Sequence, residues 1–183
     1  YPVLVHRLLL IAFIDHILVG DRVSLTDPSL KLQPLLDERS RFFLANLDSL
    51  LEASRNAGSM FIVASQQAAS RSPLPGTAQD RLTLRGVTYE QEAEEISRRL
   101  AAKGEVTSFE YSLLIHQRLM VDLKQWAERH DVPFVDVIDA LNEDRHHLLS
   151  WVHLHPDANR VVAEKLSEPI IRKFCTATTT QHR

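Results

Sequence analysis

The chain has 183 residues, 44% of them hydrophobic and 25% charged, with a formal net charge of −3. That length suits one domain with a sizeable core, and the slight acidity gives no electrostatic case for nucleic acid, which needs a basic patch or stripe. The one cysteine, Cys175, excludes an intramolecular disulfide.

The chain opens at Tyr1 on an apolar run, "YPVLVHRLLLIAFIDHILVG". His6, Arg7, Asp15 and His16 interrupt it, so no membrane span is expected, since a span needs about 20 mainly apolar residues. A basic start and a small-residue cleavage site, the marks of a signal peptide, are missing. The run reads as a buried strand over Leu8–Ile14, in a domain truncated at its N-terminus. "LVGDRVSLTDPSLKLQP" reads as a loop punctuated by Gly20, Pro28 and Pro34. From Asp37 to Ala57, Phe43, Leu47, Leu50 and Leu51 recur at helical spacing and Gly58 supplies a stop. "SMFIVAS" follows as a second buried strand.

The Ser-, Pro- and Gln-rich stretch "QQAASRSPLPGTAQDRLTLRG" reads as a long loop or lid, with the charged helix "TYEQEAEEISRRLAAKG" over it. Its "EQEAEE" run reads as a solvated helix face. A long amphipathic helix over Phe109–His130 carries a core stripe of Leu113, Leu119, Leu123 and Trp126. "VPFVDVIDAL" reads as a third strand entering a short helix. A histidine-rich loop leads to a helix over Pro156–Lys173, with Pro156 in its first turn. Residues 1–174 thus form one domain with a loop or lid over about 66–108, and 175–183 form a polar tail.

Alternating strands and helices predict an α/β three-layer sandwich around a parallel, flavodoxin-like sheet. Sites in such sheets form at the carboxyl ends of strands. Those ends, Asp15–His16, Ser65–Gln67 and Val137–Asp139, can converge with the histidine loop.

Several blocks carry a family resemblance. "DVPFVDVIDAL" and "VHLHPDANRVVAEKL" resemble the closing strand and closing block of SGNH (GDSL-type) esterases and hydrolases. "RFFLANLDSLLEASRNAGSMFIVAS" is similar to an internal helix and strand of that family, and "SQQ" at 65–67 to a Thr-Gln-Pro that often follows it. The similarity covers about residues 40–171. It implies the SGNH version of the α/β sandwich and hydrolysis of a carboxylic ester, O-acetyl or short acyl, on a small molecule or glycan, without a cofactor. His153 falls on the catalytic histidine, and Gln66 and Trp151 fall where they can line the substrate. The chain departs from the family at four places. No Gly-Asp-Ser block stands in its expected position; in "VGDRVSL", Arg22 stands where serine would be. In "FIDH", Phe13 and Asp15 occupy the glycine and asparagine slots of the oxyanion-hole region. Ser150 occupies the slot of the triad aspartate.

Serine-dependent ester hydrolysis needs a base, oxyanion donors and a group that orients the imidazole. His153 can be the base, and Ser150 can accept from its Nδ1–H. Asp15, if ionised, cannot donate to an oxyanion. The expectation is therefore a hydrolase whose nucleophile lies upstream of Tyr1, this chain alone being inactive. One alternative is a non-catalytic binding module. Another is a metal site on His146, His147, His153 and His155, with Asp144 or Asp157 added; the hydrolase reading needs no metal. Asp136 or Asp139 can replace the missing triad aspartate or simply bond a backbone N–H at the strand end. His155 reads as a helix-start residue.

Overall fold

The computed structural model describes residues 28–70, 86–103, 106–149 and 151–177. Helix α1 (Pro28–Asn56) begins nine residues before the expected Asp37. Pro28 is itself the first helical residue, where its missing N–H costs nothing, and Pro34 is carried inside the helix at the loss of one backbone bond. The loop expected around Pro28 and Pro34 is thus helical at both prolines. Phe43, Leu47 and Leu51 form the buried face. The expected stop holds: Gly58 takes φ +63°, and Ser59 N–H reaches back to Ser54 O at 2.9 Å.

β1 (Val63–Ala64) pairs in parallel with β2 (Phe134–Val135), Val63 opposite Phe134 and Ala64 opposite Val135. Between them come α2 (Tyr89–Lys103) and α3 (Ser108–Arg129). After β2 follow α4 (Val137–Leu141), a 3-10 helix (Asn142–His147) and α5 (Pro156–Ala177).

The expected three-layer sandwich is overturned. The described chain is mostly helical, and its sheet has two strands of two residues each. The apolar runs do pair, but the ladder is cut short at both ends. Pro133 has no N–H to donate, and only its carbonyl joins, accepting from Val63 N–H at 3.0 Å. At the other end the Ser65 hydroxyl donates to Asp136 Oδ1 and accepts from Ile138 N–H, both at 3.0 Å. Asp136 then caps α4, so β2 becomes a helix after two residues. The expected Leu8–Ile14 strand lies outside the described residues.

The main core is built between helices instead. α3 packs against α1 and α2. The expected stripe of Leu113, Leu119, Leu123 and Trp126 is buried. Trp126 donates its indole N–H to Asp48 Oδ1 of α1 at 2.8 Å and meets the Phe61 ring edge-on at 6.2 Å. A smaller apolar cluster joins Val135, Val137, Leu141 and Ala158, where α5 rests on α4. Among the described residues, no helix is long and apolar enough to cross a membrane.

Candidate functional site at the exits of the two strands

The exits of β1 and β2 lie side by side because the strands are parallel. Gln67, fully buried, stitches them: its Nε2 donates to Ile138 O at 3.2 Å and its Oε1 accepts from Ala68 N–H at 3.1 Å. Gln66, expected to line substrate, is half-buried, and its backbone N–H points at Met120 Sδ at 3.4 Å. Its Oε1 is buried without a hydrogen-bond partner, a state that costs free energy unless a donor is supplied.

The histidine loop is a small hairpin. Leu148 and Leu154 form an antiparallel bridge, Leu149 N–H donates to His153 O at 2.6 Å, and His155 N–H donates to His147 O at 2.8 Å. Ala69 N–H donates to Trp151 O at 2.9 Å, which seats the β1 exit against this loop. Of the expected strand ends, Ser65–Gln67 and Val137–Asp139 thus lie beside the histidine loop, while Asp15–His16 lies outside the described residues. Trp151 is half-buried there and His153 is exposed. Ser150 and Asp15, the other two expected site residues, lie outside the described residues.

Both histidines of the closing block are exposed. His155 accepts the first bond of α5, from Asn159 N–H at 3.1 Å, and its Nδ1 lies 3.3 Å from Asp157 Oδ2. It marks the start of the helix. Among the described residues, no group of three or more His, Cys, Asp or Glu side chains is placed to hold a metal ion. Asp136 serves the backbone: its Oδ1 accepts from Asp139 N–H at 3.1 Å as well as from Ser65.

The polar residues that hold this region together escaped the sequence reading. Arg145 is buried, and its side chain ties three segments. Nη1 donates to Val87 O and Thr88 O, both at 3.1 Å; Nη2 donates to Ala68 O at 2.6 Å and to Glu92 Oε2 at 2.5 Å. Glu92 in turn accepts from Ser70 N–H at 3.0 Å and from Ser70 Oγ at 2.5 Å. Glu92 therefore does not belong to a solvated face. A signal was present: Glu92 stands three residues after Tyr89 and four before Ile96, on the same face as these buried side chains. Nothing comparable marks Arg145.

His116 was also missed. It is buried on α3, with Nδ1 2.7 Å from the Tyr89 hydroxyl. Burial pushes its pKa down from 6.5 to about 4, so it is neutral near pH 7. Burial likewise raises Tyr89 well above the usual tyrosine value.

An open cavity of about 620 Å³ lies at the opposite, amino ends of the strands, between Phe61, Val132, Pro133, Leu51, Arg55 and Lys173. It contains none of the expected site residues. Comparison of the chain with protein-family models, with curated proteins and with solved structures finds no match.

Proposed function

We propose that the chain contributes the general base of a serine-dependent carboxylic-ester hydrolase similar to the SGNH/GDSL-type enzymes. The substrate class is an O-acetyl or short acyl ester of a small molecule or glycan. The observation that carries this reading is the hydrogen bond from Ala69 N–H to Trp151 O, which brings the β1 exit against the exposed His153 loop.

In this reading the imidazole of His153 takes the hydroxyl proton as serine attacks the ester carbonyl and gives it to the leaving alcohol, and it then activates the water that releases the acyl group from the serine. Trp151 flanks the acyl group. The attacking serine is neither Ser65 nor Ser70, whose hydroxyls donate to Asp136 and Glu92.

The test is p-nitrophenyl acetate hydrolysis by the whole protein, with fluorophosphonate labelling to find the serine. His153→Gln is expected to lower kcat by about 10²–10⁴, the usual contribution of a general base. Hydrolysis that is unchanged in the variant sinks the assignment of His153.

Arg22 standing where the family's serine would be in "VGDRVSL" favours a second reading, a module that binds such esters without cleaving them. Measurable affinity for an acetylated glycan, with no probe labelling and no turnover, decides for it.

A further inference from the structure

We propose that Arg145 is the positioning residue of the histidine loop, a buried clasp that holds the backbone around His153 in register with the β1 exit. The proposal rests on the hydrolase reading for its catalytic consequence, though not for its structural one.

The argument follows the bonds outward from the guanidinium. Arg145 lies on the 3-10 helix directly before the loop, and its own carbonyl accepts from Leu148 N–H at 3.1 Å. Leu148 begins the hairpin by bridging to Leu154, and the next bond runs from Leu149 N–H to His153 O. The side chain of Arg145 reaches the other way. It grips the carbonyl of Ala68, the residue just before the Ala69 N–H that holds Trp151. It also grips Val87 and Thr88 at the start of α2 and pairs with Glu92 one turn further on. Glu92 closes the ring by holding both the N–H and the hydroxyl of Ser70.

One residue thus binds the loop that carries His153, the β1 exit that faces it, and the helix behind both. An arginine is required for this. A planar fork can meet several carbonyls and a carboxylate in fixed directions, whereas a lysine ammonium is a single flexible point. A hydrophobic side chain could fill the space but hold none of these backbone groups.

Removing Arg145 alone leaves Glu92 buried without its cation, which risks unfolding for reasons unrelated to the loop. The informative variant is Arg145→Met with Glu92→Leu, because an apolar replacement of a buried ion pair commonly preserves stability. Arg145→Lys is the second variant; it keeps charge opposite Glu92 but cannot hold Ala68, Val87 and Thr88 at once.

The primary readout is amide hydrogen exchange. In both variants exchange at Ala69, Leu149 and His155 is expected to rise by about tenfold or more, the range of a local opening, while α3 amides stay protected. Catalytically, kcat/KM for p-nitrophenyl acetate is expected to fall, because the loosened loop carries both the base His153 and Trp151, which flanks the acyl group. Wild-type protection at those three amides, in either folded variant, overturns the clasp. If the wild-type protein does not hydrolyse esters, the hydrolase reading falls, and the exchange pattern still judges the clasp.

Discussion

His116 shows how one buried ring can set the acid limit of the fold. It sits on the core face of α3, hydrogen-bonded through Nδ1 to Tyr89 and with Nε2 buried without a partner. An imidazolium there would have lost its water and gained no carboxylate, so burial holds its pKa at about 4 against an ordinary 6.5. The unfolded chain therefore binds this proton more readily than the folded one. The His116 contribution is complete above pH 6.5 and is lost as pH falls from there toward 4. A shift of that size corresponds to on the order of 3 kcal/mol. His116→Gln keeps a polar group opposite Tyr89 and removes the titration. Urea unfolding measured across this pH range is expected to show a steeper acid decline for wild type than for the variant. Parallel curves would assign the acid limit to other groups.

At the level of elements, helix ends decide more than strand propensity does. α3 starts with a capping box: Glu110 N–H donates to Thr107 Oγ1 at 3.3 Å, and Thr107 N–H donates to Glu110 Oε2 at 2.8 Å. Arg99 of α2 pairs with the same carboxylate, so the box also ties two helices together. Thr107→Ala is expected to cost about 1 kcal/mol in urea unfolding, the usual worth of an N-cap. The helices themselves were largely legible, because Leu119, Leu123 and Trp126 recur at steps of four and three, the helical spacing. α1 was legible in its middle and at Gly58 but not at its start, because Pro28 reads equally as a loop mark and as a first helical residue. The strands misled. "SMFIVAS" and "VPFVDV" have the apolar character of sheet interiors, yet Pro133 and the Ser65–Asp136 bonds leave each with two paired residues. Composition reports that a segment is buried and extended; it does not report how many ladder bonds it makes. The meeting of the strand exits with the histidine loop was legible because it follows from chain order in a parallel arrangement. Arg145 was not, because an arginine is buried only when partners far along the chain accept it, and Ala68 and Glu92 are 77 and 53 residues away.

At the scale of the molecule, apolar burial among the described residues is divided unequally. The larger cluster joins α1, α2 and α3 around Trp126; the smaller joins β2, α4 and α5 around Val135, Val137, Leu141 and Ala158. The far end of α5 adds little to either, since Ile170, Ile171 and Phe174 are exposed. The histidine loop has a small cluster of its own, Leu148 with Ala69 and Leu154, while Val152 packs against the larger cluster and Leu154 also against the smaller. A region supported by fewer buried side chains opens at lower free energy than a dense helical core. The chain's two tryptophans report these regions separately: Trp126 is 1% exposed in the larger cluster, and Trp151 lies half-buried in the loop. Fluorotryptophan incorporated at both positions gives one fluorine NMR signal for each without altering the sequence. In a urea titration the Trp151 signal is expected to reach its unfolded position first, while Trp126 keeps its native shift. Coincident transitions would make the molecule a single cooperative unit. Earlier loss at Trp151 would mean that the loop bearing His153 moves on a scaffold that remains folded, and that adjusting this loop for function need not put the helical core at risk.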